Sequence, residues 1–229
     1  MRLIGLIGGM SWESSAVYYG LLNRDVRERL GGSASARCVL YSFDFAEVER
    51  LQRAGDWERL RAMMFDAGRS LKAAGAELLV LCTNTMHKVM DGVEEGLGLP
   101  FIHIADATAA AIRAAGLKRP ALLGTRYTME GGFYADRLRE RFGLDALIPE
   151  EGDRIEIDRV IFQELVRGVV SPASRSLYAA ALDRLAARGA DCAILGCTEI
   201  GLLIREHPGL PLFDSAELHA RAALEASLV

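Results

Sequence analysis

The sequence predicts an α/β fold of two pseudo-symmetric Rossmann-like lobes, each a parallel sheet flanked by helices, with a small-molecule site in the interlobe cleft. Three observations predict it: short unbroken apolar runs, amphipathic stretches between them, and a helix–strand unit that occurs twice. Apolar runs without alternation suit parallel strands covered on both faces. They fall at 2–7 (RLIGLI), 37–43 (RCVLYSF), 77–82 (ELLVLC) and 100–104 (PFIHI), then at 120–124, 146–149, 191–196 (DCAILG) and 211–213. Between them, Leu60, Met63, Met64, Ala67 and Leu71 share one helical face, as do Leu177, Ala181, Leu182 and Leu185. Such β–α alternation implies right-handed crossovers between parallel strands.

The repeat is the most informative feature. LKAAGAELLVLCTNT (71–85) aligns with LAARGADCAILGCTE (185–199) without a gap. Upstream, IGLIGGMSWE matches ALLGTRYTME; downstream, LPFIHIAD matches LPLFDSAE. The predicted lobes are 1–104, completed by a C-terminal helix at 214–229, and 105–213, each about 110 residues and within usual domain sizes. Sites of parallel sheets form beyond the carboxyl ends of the strands, which puts 82–85 and 197–199 on opposite walls of a shared cleft.

Composition narrows the classes. The 229 residues are 51% hydrophobic and 25% charged, with a net charge of −4 that argues against a nucleic-acid partner. No apolar run approaches the roughly 20 residues of a membrane span. MRLIGLIGGM reads as a buried first strand, not a leader, and predicts a cytoplasmic protein. The four cysteines, Cys38, Cys82, Cys192 and Cys197, form no CxxC pair, so structural zinc and thioredoxin-like chemistry fit poorly. Cys38 and Cys192 read as buried small hydrophobes.

The alignment pairs Cys82 with Gly196, Thr83 with Cys197, Asn84 with Thr198 and Thr85 with Glu199. If Cys197 points into the cleft, Thr83 does so from the other side, and Cys82, one step earlier, faces the core. Inverting a stereocentre by proton transfer needs one group on each face of the carbon. A thiol near its ordinary pKa of about 8.5 can serve when donors and helix N-termini bring it into range, whereas a hydroxyl is a far weaker acid and base. Both TNTMHKVM and CTEIGLLI enter helices after their strands, which predicts a stabilised thiolate at Cys197 and an anchor for a carboxylate.

GLIGGMSWESS, CTNTMHK, HIADAT, LGTRYTM and GCTEIGLL together resemble the cofactor-independent aspartate/glutamate racemases, over essentially the whole chain. Most members carry cysteine at both catalytic positions. With T-N-T at 83–85 and G-C-T-E at 196–199, this chain is closer to a threonine/cysteine subgroup associated with L-aspartate and L-glutamate. The resemblance implies catalytic roles for Thr83 and Cys197. It implies substrate contacts from Asn84, Thr85, Thr198 and Glu199, backbone amides from the loops of Met10 and Thr125, and no cofactor. Gln52 stands where relatives often place an arginine for the distal carboxylate, with Arg53 or Arg126 as substitutes. A homodimer acting on a free amino acid is also implied.

Plainer readings stand beside these. GLIGGM is not GxGxxG and reads as a tight strand-to-helix turn. His87 caps or fills space, His103 and His219 are scattered, and no spacing marks a metal site. Asp106 and Asp214 read as helix caps. Residues 149–159 read as a solvated loop entering a helix, with Glu164 outside the chemistry. Neither Lys72, Lys88 nor Lys118 sits in a setting suited to a pyridoxal Schiff base. Two rival functions remain: a single-thiol decarboxylase or isomerase on the same fold, and a non-catalytic binder of acidic amino acids.

Overall fold

The computed structural model describes residues 1–229 apart from the side chains of Val93 and Glu94. In chain order the elements begin with β1 (Ile4–Gly8), α1 (Trp12–Leu30), β2 (Cys38–Ser42), α2 (Phe45–Ala54), α3 (Trp57–Ala73) and β3 (Leu78–Leu81). A 3-10 helix at Thr85–Val89, α4 (Val93–Leu97), β4 (Phe101–Ile102) and α5 (Ile104–Ala114) follow. Then come β5 (Pro120–Gly124), α6 (Arg126–Glu130), α7 (Phe133–Phe142), α8 (Glu151–Gln163), a 3-10 helix at Leu165–Arg167 and α9 (Pro172–Ala187). The chain closes with β6 (Cys192–Gly196), α10 (Ile200–Leu203), β7 (Leu212–Asp214) and α11 (Ser215–Leu228). Two compact units result, Met1–His103 with His219–Val229, and Ile104–Leu218, so the boundary falls inside α11. No helix among the described residues is long and apolar enough to cross a membrane.

The first unit has a parallel sheet in the order β2-β1-β3-β4, and the second a parallel sheet in the order β5-β6-β7. The internal repeat is visible in the register. Ile4 pairs with Leu78 in one sheet and Pro120 with Cys192 in the other, and Leu78 and Cys192 are partners in the gapless alignment. The run at 146–149 forms only a bridge, Leu147 beside Ala121, and not a strand; it occupies the place that β2 holds in the first sheet.

Both units bury their central apolar runs on both faces as expected. In the first, Ile7, Leu79 and Leu81 pack under Val48 and Leu51 of α2 and Leu60, Met63, Met64, Ala67 and Leu71 of α3. Their alternates Ile4, Leu6, Leu78 and Val80 are equally buried on the opposite face. In the second, Ala121, Leu123, Ala193 and Leu195 join Ile157, Val160, Tyr178, Ala181, Leu182 and Leu185 of α8 and α9. Leu122, Cys192 and Ile194 join Ile104, Ile112, Tyr134 and Leu138 of α5 and α7.

Three expectations are corrected. The run at 37–43 is an edge strand, paired only with β1, so Leu40 and Tyr41 are exposed and Cys38 is half-buried instead of lying in a covered core. Residues 149–159 are mostly helix, because α8 starts at Glu151; the acidic Glu151 and Asp153 in its first turn suit the positive end of a helix. Asp106 lies in the first turn of α5 and pairs with Arg137, Oδ2 to Nη2 2.8 Å, whereas Asp214 caps α11 by accepting from the Ala216 N–H at 2.9 Å.

GLIGGM is the tight turn that its glycines suggest. Gly9 has φ +81°, and a Cβ there would meet the Phe43 backbone at 2.4 Å. Ser15 Oγ accepts from the Gly9 N–H at 2.8 Å, and Ser11 caps α1. At the far end of the chain, α11 is tied into the first unit through His219. Its Nε2 lies 2.6 Å from the Ile102 carbonyl and its Nδ1 2.8 Å from the Tyr18 hydroxyl.

That tie gives stability a pH dependence. Burial lowers the His219 pKa from 6.5 to about 4. Between those values the unfolded chain binds a proton that the folded chain does not, so stability rises with pH across the window. The neutral ring's contribution is complete above about pH 6.5 and is lost as pH falls toward 4, a difference of about 3 kcal/mol. Denaturant unfolding of the wild type and His219→Gln between pH 7 and 4 should show a shallower decline for the variant. Parallel declines would assign the loss to other groups.

Candidate active site

Each unit gathers its own share of the sequence-predicted residues at the carboxyl end of its sheet. In the first, β3 stops at Leu81 and the chain turns sharply. The Cys82 N–H donates to the Ile7 carbonyl at 2.8 Å, and the Ser14 hydroxyl donates to the Cys82 carbonyl at 2.7 Å. The Thr83 N–H donates back to the Leu81 carbonyl at 2.9 Å. Cys82 is fully buried, and burial pushes its thiol far above the ordinary range. Thr83 is half-exposed, while Asn84, Thr85 and Met86 beyond it are buried.

Gln52, on α2, meets the same stretch: its Nε2 lies 3.2 Å from Met86 Sδ, with the side chain buried. The Met10 side chain packs in the apolar cluster that also holds Met86, Val48 and Leu51. Met10, Gln52 and 83–85 are thus brought to one end of the sheet. Arg53 is not among them; its guanidinium is exposed and binds Glu49 at 2.7 Å.

In the second unit β6 ends at Gly196, where a Cβ would stand 2.7 Å from the Leu123 carbonyl oxygen, so only glycine fits against β5. Cys197 follows, half-buried. Its Sγ lies 3.0 Å from Glu199 Oε2, and the Thr198 hydroxyl donates to the same oxygen at 2.7 Å. A buried carboxylate is tolerated when donors surround it. Thr125 caps α6, accepting from the Thr128 N–H at 3.3 Å. Arg126 pairs at 3.0 Å with Glu130, whose carboxyl that bond holds below its usual range. Arg126 is therefore already engaged.

The family model for Asp/Glu/hydantoin racemases matches residues 7–223. The chain belongs to that racemase family. A solved structure of a candidate Asp/Glu racemase from Yersinia pestis is 48% identical, with complete coverage of both chains and a TM-score of 0.93. An aspartate racemase homologue from Pyrococcus horikoshii OT3 is 33% identical, again with complete coverage of both, at a TM-score of 0.87. A broad-specificity amino-acid racemase of Bacillus subtilis (strain 168) is 20% identical over 99% of this chain and 98% of its own. Membership supports an amino-acid racemase activity.

The thiol environment departs from the sequence-based expectation. Helix N-termini were to favour a thiolate, but α10 has four residues and the helix after Thr83 is a five-residue 3-10 turn. Dipoles that short are weak. Burial instead pushes the Cys197 thiol well up, and the Glu199 charge, the sulfur–carboxylate bond and Asp214 push the same way. Asp214 is itself raised to about 6, chiefly by burial. Cys197 thus rests as a thiol donating to Glu199, a paired acid and base.

The sequence reading missed one feature outright. His103 and His219, scattered in the sequence, lie against His87 in the fold, with ring centroids 4.5 and 5.7 Å from it. Separations of 16 and 132 residues hide this, and only the return of α11 into the first unit creates it.

The Cys197–Glu199 pair predicts a charge effect. Glu199→Gln removes the anion beside sulfur, so the Cys197 thiol should titrate at lower pH. Alkylation by iodoacetamide, followed at the Cys197 peptide by mass spectrometry, should have its pH midpoint displaced downward in the variant. An upward or absent displacement would show that Glu199 does not govern the thiol.

Proposed function

We propose that the chain is a cofactor-independent racemase of acidic amino acids, preferring L-aspartate or L-glutamate, with Cys197 and Thr83 addressing opposite faces of the α-carbon. The observation that carries the reading is the Cys197–Glu199 contact at the end of β6, in a chain whose internal repeat gives Thr83 the corresponding position after β3. Asn84, Thr85, Thr198 and the loops of Met10 and Thr125 would hold the α-carboxylate through hydroxyl, amide and backbone donors. Gln52 serves the side chain.

In this reading the substrate ammonium favours the thiolate, and Cys197 passes its proton to Glu199. The thiolate removes the α-proton and so becomes a thiol again, and Glu199 gives its proton up to solvent to reset the pair. The electron pair left on carbon spreads into the carboxylate, whose oxygens are held by hydrogen bonds. A proton then reaches the other face from the Thr83 hydroxyl, directly or through water, and the alkoxide or hydroxide left behind is reprotonated by solvent. A raised thiol pKa makes the thiolate a stronger base once it forms. A hydroxyl is a poor partner, so the two directions should run at unequal rates.

Chiral chromatography of L-aspartate and L-glutamate incubations tests the roles. Cys197→Ala and Cys197→Ser should each lower turnover by about 10²-fold or more. Thr83→Cys should raise consumption of the D-enantiomers about tenfold or more, since a thiol replaces the hydroxyl. Full activity in Cys197→Ala, or its loss in Cys82→Ala with Thr83→Cys silent, would overturn the assignment.

We also propose a cytoplasmic homodimer. Exposed Trp12 and Tyr19 of α1 and Leu40 and Tyr41 of β2 offer apolar surface for a second copy. Light scattering should give a particle of about twice the 24.9 kDa chain mass. A monomeric mass at micromolar concentration would reject the dimer.

A further inference from the structure

Three of the chain's four histidines share one buried cluster in the first unit. His87 comes from the 3-10 helix after β3, His103 from the end of β4 and His219 from α11; they are 1%, 6% and 0% exposed. The His87 ring also lies 5.5 Å from Phe101. Hydrogen-bond chemistry fixes two of the protons. A carbonyl oxygen only accepts, so His219 Nε2, 2.6 Å from the Ile102 carbonyl, carries a proton, and Nδ1 of the neutral ring accepts from Tyr18. By the same rule His87 Nδ1, 2.8 Å from the Thr83 carbonyl, carries a proton and donates it there.

Thr83 belongs to neither strand nor helix, so no ladder fixes its backbone. Its N–H is turned back on Leu81 and its carbonyl is held by His87. The carbonyl belongs to the Thr83–Asn84 peptide, so the imidazole orients that plane. The plane in turn sets the aim of the Thr83 side chain and of the Asn84 N–H. A bond accepted at the carbonyl also polarises the peptide and strengthens its N–H as a donor.

We infer that His87 is a positioning residue for Thr83, its Nδ1–H holding the Thr83 carbonyl while Phe101, His103 and His219 fix the ring. This rests on the proposed role of Thr83 in racemisation. An apolar residue of similar size would fill the space without supplying the donor. Asparagine, whose Nδ2 falls near the position of Nδ1, supplies it.

The test follows L-aspartate and L-glutamate in D₂O, with two products measured together. Deuterium in recovered L-substrate reports proton return on the Cys197 face; deuterated D-isomer requires delivery from the Thr83 face. His87→Leu should lower D-isomer formation about tenfold or more while deuteration of the L-isomer stays within about twofold. His87→Asn should restore most of the loss. Equal loss of both products in His87→Leu without recovery in His87→Asn would mean general damage and overturn the positioning role, as would no loss at all.

Imidazole ¹⁵N shifts of the wild type decide the bond even if His87→Leu fails to fold. His87 must carry a proton on Nδ1 at pH 7, and a neutral Nε2–H tautomer overturns the inference. Absence of any exchange by the wild type with substrate bound would count instead against racemisation, leaving the tautomer measurement to decide the His87 contact.

Discussion

Double-sided burial of the central strands is the constraint on which the candidate site depends. LLVL of β3 and CAILG of β6 are buried on both faces. Each fully buried Leu or Ile is worth about 1.5–3 kcal/mol. A one-residue slip would turn every side chain to the opposite face, against helices shaped for other residues. Nothing chemical about Thr83 or Cys197 sets where they emerge; the apolar residues before them do.

The same register places the two groups in different company. After β3, the backbone of Thr83 is bracketed by the Leu81 carbonyl and the His87 imidazole. After β6, Cys197 faces a carboxylate that also takes the Thr198 hydroxyl. One setting orients a group without charging it, and the other supplies a proton acceptor. The difference is chemical as well as geometric, because a hydroxyl is a far weaker acid than a thiol and a thiol gives up its proton only to a nearby acceptor. The repeat conserves the scaffold while the chemistry on it diverges.

Much of the fold was legible because it depends on apolar patterning. Unbroken runs gave parallel strands, and the gapless match of 71–85 with 185–199 gave a register that the sheets reproduce. The pattern could not separate a central strand from an edge strand. RCVLYSF is as apolar as its neighbours, yet β2 has a partner on one side only. Nor could it weigh charge against dipole at Cys197: helix length and the reach of the Glu199 carboxylate are three-dimensional facts. The histidine cluster was invisible for a related reason, since residues on three separate elements meet only when α11 packs back.

The position before each emerging group shows how tightly backbone packing limits the chemistry. At Gly196 any side chain would collide with the Leu123 carbonyl, so the second unit has no room for a reactive group there. At Cys82 there is room, but only inside the core. Its thiol is buried and raised so far that a thiolate is negligible near neutral pH. The cysteine of CTNTMHK is therefore kept inert by the burial that fixes the strand, and the half-exposed side chain that follows it is the Thr83 hydroxyl.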